Sequence, residues 1–104
     1  MPSRDEMAIE RELQLKGLNA PRLNPDQIDA QIVSDAYYVF PNTSLTVCML
    51  TLQNGYHVVG HSAAASLENF DAAIGRRIAR DRARDQIWAL EGYALRTKLH
   101  NVKR

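Results

Sequence analysis

Residues 45–60 read LTVCMLTLQNGYHVVG and carry the strongest local structural signal in the chain. Two apolar runs, residues 45–52 and 56–60, are rich in β-branched side chains and are separated by a short polar segment that contains a turn-forming pair. That pair is Asn54-Gly55, the dipeptide that type I′ turns prefer, because both of its residues tolerate positive φ angles. The stretch therefore predicts an antiparallel β-hairpin.

Pairing outward from a two-residue turn predicts which residues face each other across the hairpin. It places Thr51 opposite Val58, and Cys48 opposite His61. Neither face of this hairpin is cleanly polar. We therefore expect both faces to be covered at least in part, either by helices or by another subunit.

A first helix is predicted at the start of the chain. Ser3 is followed three residues later by Glu6, which is the spacing of a capping box. Gly17 is a good residue to end this helix, because it has no Cβ to clash in the left-handed conformation.

A second helix is predicted after a short linker. Asn24 can cap it, and Pro25 suits its first position because that position needs no N–H donor. Ile28, Ile32 and Ala36 are spaced four apart, which indicates one buried stripe on a helix that reaches Ala36.

The third helix is expected to be long. Ser66 is its predicted cap, and no proline interrupts residues 67–99. A helix of that length measures roughly 50 Å, whereas a domain of this size has a diameter of roughly 33 Å. We expect the helix either to bend near Gly92 or to pack its overhang against another chain.

These elements predict an α+β fold in a single domain over residues 1–104, with two short N-terminal helices, a β-hairpin and a long C-terminal helix. The chain has 45% hydrophobic and 24% charged residues, which is typical of a globular protein. A net charge of +1 disfavours nucleic acid and membrane surfaces as partners. One cysteine, no signal-peptide pattern and no apolar run of 18 residues lead us to expect neither export nor membrane insertion.

The long helix carries two features. Gly75, Ala79 and Ala83 form a ridge of small side chains that lets another backbone approach closely, in the hairpin or in a partner helix. The second feature is a run of arginines interleaved with aspartates: Arg76, Arg77, Arg80, Asp81, Arg82, Arg84 and Asp85. Such a run is typical of a solvated face with ion pairs, and it is also suited to an anion site, because guanidinium groups bind phosphate bidentately.

Signals for catalysis are weak. Cys48 and His61 are predicted cross-strand neighbours, which would suit a nucleophile pair or half a metal site; a buried thiol beside a hydrogen-bonded histidine is the simpler interpretation. Walker, GxGxxG, GxSxG and HExxH motifs do not occur. We therefore expect no enzymatic activity, no cofactor and no metal.

Several aromatic residues are expected near the corner between the second helix and the hairpin: Tyr37, Tyr38, Phe40 and Tyr56. Such residues are commonly core or interface anchors. The alternative is a surface of aromatic rings on which a planar ligand stacks, with Arg22 nearby.

Four segments in order resemble a known family: residues 17–22 (GLNAPR), 46–55 (TVCMLTLQNG), 68–71 (ENFD) and 87–93 (IWALEGY). Together they resemble the small tailed-phage proteins of the gene 49 / gene 66 family over nearly the whole chain. The resemblance implies a phage or prophage origin and action in the cytoplasm of a bacterial host. It supplies no catalytic residues to carry over. Small phage accessory proteins commonly bind, either blocking a host protein or sequestering a nucleotide signal.

We therefore expect a non-enzymatic phage accessory protein in counter-defence that forms a homo-oligomer through its long helix. It would sequester a small phosphorylated ligand, such as a linear or cyclic nucleotide signal, through Arg22, Tyr56, Arg76 and Arg77. The alternative is a protein-protein inhibitor of a host enzyme or defence protein, acting through the hairpin edge or the aromatic corner. Nucleic-acid binding and an enzyme dependent on Cys48 rank below both.

Overall fold

The computed structural model describes residues 3–18 and 20–102. The elements, in chain order, are α1 (Arg4–Leu15), α2 (Pro25–Ala30), β1 (Ile32–Val39), β2 (Thr46–Leu52), β3 (His57–Ser62), a 3₁₀ turn (Leu67–Asn69) and α3 (Ala72–Val102). The three strands form one antiparallel sheet in the order β1-β2-β3, and α3 packs across β2 and β3. The predicted α+β class is confirmed.

Helix α1 begins and ends as predicted. The Ser3 hydroxyl accepts from the Glu6 N–H, and the Glu6 carboxylate accepts from the Ser3 N–H, both at 3.1 Å. After the helix, Gly17 adopts φ +66°, the left-handed conformation that its lack of a Cβ allows. None of the residues of α1 is fully buried, so this helix lies on the surface of the domain.

The region after α2 was predicted wrongly. Asn24 and Pro25 start the helix as expected, but α2 ends at Ala30, and Ile32 and Ala36 belong to strand β1. The residues of β1 are mostly β-branched or aromatic, which suits a pleated surface. An apolar spacing of four fits a strand, whose side-chain period is two, as well as a helix. Residues 32–39 form a strand because their backbone hydrogen-bonds to β2.

The hairpin exists, but its turn is longer than predicted. Gly55 has φ +87°, whereas Asn54 does not adopt a positive φ, so the turn is not type I′. The Gly55 N–H donates to the Leu52 carbonyl at 2.9 Å, and the Leu52 N–H donates to the Tyr56 carbonyl at 2.8 Å. This is the pattern of a three-residue loop that ends in a left-handed glycine.

The extra loop residue shifts the pairing by one. Thr51 lies opposite His57, and Cys48 lies opposite Gly60, so the predicted pairing of Cys48 with His61 is wrong. A shift of one residue moves every side chain of a strand to the other face. The observed register puts the buried residues of β3 on the same face as those of β2 and leaves both of its histidines on the open face.

The small residues of α3 lie directly against the hairpin, as one of the predicted alternatives had it. Gly75, Ala79 and Ala83 are all buried, and the Ser62 hydroxyl donates to the Gly75 carbonyl at 2.7 Å. At Gly60, a Cβ would overlap the backbone of Ala79 and Ala83. The core that this contact closes comprises Ile28, Cys48, Leu50, Leu52, Val58, Ala79, Ala83 and Ile87.

The opposite face of the sheet is open among the residues that the structure describes. Tyr38, Met49 and Val59 are exposed there, although each is a large apolar side chain. Within one chain, therefore, only one face of the sheet is covered, and α3 covers it.

Helix α3 starts later than predicted but has the expected length. Ser66 caps the 3₁₀ turn, and the Asp71 carboxylate accepts from the Ile74 N–H at 2.9 Å where α3 begins. The helix continues through Gly92 without interruption and spans about 46 Å at 1.5 Å per residue. The chain measures 55 × 31 × 19 Å, and none of residues 88–102 is fully buried. About half of α3, residues 88–102, therefore lies at or beyond the border of the core.

Replacing Gly60 with alanine should strongly destabilise the protein. The added methyl group has no space between β3 and the backbone of α3, and backbone atoms move less easily than side chains, so we expect a loss of about 3 kcal/mol or more in the free energy of unfolding. Denaturant titration followed by circular dichroism measures this. The matched control is Gly92→Ala, where a Cβ meets only Leu23 Cδ1 at 3.9 Å and better helix propensity should stabilise by up to about 1 kcal/mol.

Candidate binding surface on the long helix

The arginine run of α3 contains one buried member. Arg84 is only 4% exposed, and its guanidinium donates to the Asp29 carboxylate through Nε and to Glu6 Oε2 through an Nη, each at 2.7 Å. A further N–H reaches the Pro25 carbonyl at 3.5 Å. Arg84 therefore joins α1 and α2 to α3, and it is not free to bind a ligand. Sequence analysis could not identify this role, because Arg84 is one of several charged residues in a run that is typical of a solvated helix face.

Glu6 has a second partner in this network. Its Oε2 also accepts from the indole Nε1 of Trp88 at 2.9 Å. Partial burial would raise the pKa of Glu6, but the hydrogen bonds from Arg84, the Ser3 backbone and Trp88 outweigh it, and the pKa lies below its ordinary value. Burial acts to lower the pKa of Arg84, yet the hydrogen bonds to Glu6 and Asp29 raise it, so the guanidinium stays charged.

The remaining arginines of the run form two groups: those that contact an acceptor within the chain and those that do not. Arg82 donates to the His61 carbonyl at 2.9 Å, and Arg80 lies 3.7 Å from the Asp35 carboxylate. Arg76 and Arg77 are exposed and make neither a hydrogen bond nor an ion pair with any residue that the structure describes. Within the described part of α3, no ion pair joins two of its own residues. The structure therefore leaves two adjacent guanidinium groups on one turn facing solvent.

A groove of about 550 Å³ lies beside these free arginines. It runs between the start of α1 and the middle of α3, and its lining residues are Ser3, Glu6, Arg77, Arg80, Asp81, Arg84 and Asp85. The lining contains three arginines and three carboxylates, so the groove as a whole is not strongly cationic. Arg80 and Arg84 are paired with carboxylates, so Arg77 is the one arginine of the lining without an acceptor among the described residues.

The structure places the other two predicted ligand-binding residues elsewhere. Arg22 donates to Glu10 Oε2 at 2.6 Å, and this bond holds the pKa of Glu10 below its ordinary value. It lines a second groove beside Leu95, about 27 Å along α3 from Arg77 at 1.5 Å per residue. Tyr56 is 57% exposed at the hairpin turn. Gly75 contacts Ser62, at the end of β3 that is far from Tyr56. Within a single chain, Arg76 and Arg77 are therefore neighbours, but neither Arg22 nor Tyr56 lies beside them.

Cys48 and His61 lie on opposite faces of the sheet. Cys48 is fully buried and faces the core, and burial raises the pKa of its thiol. His61 is exposed on the open face. Burial also raises the pKa of Tyr37, whose hydroxyl donates to the Asp35 carboxylate at 2.9 Å. Among the described residues, no three His, Cys, Asp or Glu side chains are grouped closely enough to hold a metal ion.

The predicted aromatic cluster divides into separate parts. Tyr38 and Phe40 form an edge-to-face pair with ring centroids 4.8 Å apart and an interplanar angle of 89°, and both rings are exposed. Tyr37 instead packs in part against the core. Tyr56 lies at the opposite end of the sheet, because the β1 residues next to Phe40 pair with the start of β2.

Comparison with protein families identifies the chain. Residues 23–99 match the model of the phage protein (N4 Gp49/phage Sf6 gene 66) family. The chain belongs to this family. The match covers the sheet, α2 and nearly all of α3, and it leaves α1 outside. No curated protein and no solved structure matches the chain.

No helix among the described residues combines the length and the apolar composition that a bilayer span requires.

Replacing Arg84 with methionine should destabilise the protein by about 3 kcal/mol, because two carboxylates would lose the cation that compensates their partial burial. Urea denaturation followed by circular dichroism provides the measurement. Arg77→Met is the matched control on the same helix and should change the free energy of unfolding by less than about 0.5 kcal/mol. Equal losses in the two variants would contradict the assigned role of Arg84.

Acidification should release the contact between Glu6 and Trp88. Because the pKa of Glu6 is lower in the folded than in the unfolded state, its stabilising contribution is complete at neutral pH. That contribution is lost as the pH falls from about 4.3, the ordinary glutamate value, through the folded-state pKa. Trp88 is the only tryptophan, so its fluorescence emission reports this step directly. Glu6→Gln should remove the step, whereas Glu12→Gln, on the exposed side of α1, should leave it unchanged.

Proposed function

We propose that this phage protein is a non-enzymatic accessory factor that binds and sequesters a small phosphorylated ligand in the bacterial host cytoplasm, as part of counter-defence. The observation that supports this proposal is the pair of adjacent arginines, Arg76 and Arg77, that face solvent without a carboxylate partner among the described residues. Arg80, Arg82 and Arg84, the other arginines in the central run of α3, are committed to acceptors within the chain.

Arginine suits a phosphate ligand for geometric reasons. Its planar guanidinium donates two parallel N–H bonds to two oxygens of one phosphate group, and it remains charged at every physiological pH. Two neighbouring guanidinium groups could therefore hold one phosphate from two directions, or two phosphates of a nucleotide. An exposed tyrosine such as Tyr56 would add a stacking surface for a base.

A homo-oligomer assembled through α3 would complete the site. Leu90 and Tyr93 are exposed on the part of α3 beyond the core, and their three-residue spacing places them on one face that a second chain would cover. If two α3 helices packed antiparallel in a register centred on Gln86, Arg77 of one copy would lie alongside the groove that the other copy's Leu95 and Arg22 line. Residues that are about 27 Å apart in one chain would then face the same ligand.

Arg22 is bound to Glu10 in the isolated chain. The guanidinium has further N–H donors that a phosphate could use, because it donates one bond to Glu10 and one to the Leu18 carbonyl. The Glu10 carboxylate would repel a phosphate there, so it lowers the affinity of Arg22 for the ligand.

Calorimetry against linear and cyclic nucleotides tests the proposal. We expect at least one of these ligands to bind the wild-type chain, and Arg77→Ala to weaken its binding at least about tenfold, which corresponds to one lost charge-assisted contact. The control is Arg11→Ala, on the exposed surface of α1. Light scattering on the same samples counts the subunits. No binding at high micromolar concentrations of any nucleotide would remove the sequestration proposal.

A second function is supported by a different surface. The exposed Tyr38–Phe40 pair and the open face of the sheet would suit a protein-protein inhibitor of a host enzyme or defence protein. This function requires a stoichiometric bacterial partner. A pull-down from bacterial lysate, compared with one that uses Tyr38→Ala, distinguishes it from ligand sequestration.

A further inference from the structure

We propose that the surface beneath α1 is a helix-docking groove, occupied in the isolated chain by α1 itself and opened when an acidic amphipathic helix of a partner protein takes its place. In this arrangement α1 is an autoinhibitory strap, and the groove does not include Arg76 or Arg77, although it shares Arg22 with the site of the proposed function.

Helix α1 has the properties of a removable element. None of its residues is fully buried and none belongs to the hydrophobic core, so its departure would remove no core side chain. It lies outside residues 23–99, the part of the chain that matches the phage family. The core of Ile28, the sheet and α3 closes without any contribution from it.

The surface that α1 covers is amphipathic. Leu23, Pro25 and Trp88 supply apolar side chains and, together with residues of α1, line a crevice of about 340 Å³. Cations lie at two points along this surface: Arg84 meets Glu6 at 2.7 Å, and Arg22 meets Glu10 at 2.6 Å. The groove thus offers an apolar floor and two positions for a carboxylate.

The contacts of α1 follow the spacing by which a helix recognises a groove. Glu6, Ile9, Glu10 and Leu13 occupy positions i, i+3, i+4 and i+7, which fall on one face of a helix, and all four line the crevice. A partner helix with glutamates at i and i+4 and aliphatic residues at i+3 and i+7 would reproduce every one of these contacts. Charge complementarity to Arg22 and Arg84 selects an acidic helix over a basic one.

The substitution Leu13→Glu in the full chain tests whether α1 is removable, because it alters the strap and leaves the groove unchanged. We expect the emission of Trp88 to move to longer wavelength as α1 leaves and water reaches the indole, while the far-ultraviolet signal of the sheet and α3 persists. Leu15→Glu is the matched control, because Leu15 is 81% exposed on the other side of the same helix. It should leave the emission of Trp88 unchanged.

A synthetic peptide of residues 3–16 then tests the groove. It should bind the Leu13→Glu chain at least about tenfold more tightly than the wild-type or Leu15→Glu chain, in which the groove is filled. Binding should return the emission of Trp88 to its original wavelength. The same peptide carrying Leu13→Glu is the control and should not bind.

Hydrogen exchange on the wild-type chain provides a test that needs no substitution. The amides of α1 should exchange faster than those of residues 75–87 in α3, because the strap opens without global unfolding. Equal protection of the two segments would overturn the proposal. So would global unfolding of the Leu13→Glu chain, an unchanged emission of Trp88 in that chain, or equal peptide binding by all three chains.

Discussion

The close contact between the backbones of α3 and β3 at Gly60 is the constraint on which the structure depends. Only glycine leaves space there for Ala79 and Ala83, so the helix must present its small residues to the sheet at this point. That contact sets the rotation of α3 about its axis. With Ala79 and Ala83 turned inward, Arg84 is directed toward α2, and Arg76 and Arg77 are directed to solvent.

The rotation of α3, together with the position of each residue along its axis, explains why five arginines of similar sequence context have different roles. Arg84 lies at the border of the core, and its burial is compensated by two carboxylates from separate elements. Arg82 satisfies a carbonyl of the edge strand β3. Arg76 and Arg77 lie beyond these acceptors, and this leaves their charges available. A run of charge on one helix thus divides into structural and accessible members according to what each side chain meets.

Several elements whose signals are local were predicted correctly, although the turn type at Asn54-Gly55 and the start of α3 were not. The capping box of α1, the start of α2 and the existence of the hairpin depend on neighbours within a few residues. The resemblance to the phage family, which the family match confirms over residues 23–99, also came from the order of short segments. For the candidate site, the sequence identified the arginine run, but it could not separate Arg84 from Arg77, because their difference depends on Glu6 and Asp29, which are distant in sequence.

The sequence by itself determined the α+β class, the helix boundaries at Ser3 and Gly17, and the length of α3, because capping, turn preference and the absence of proline act locally. The tertiary structure alone decided that residues 32–39 form a strand and that the hairpin pairs with a three-residue loop. A strand gains its hydrogen bonds only from a neighbour, and a register is selected by the face that the core buries. Both depend on where α3 packs, which no local pattern contains.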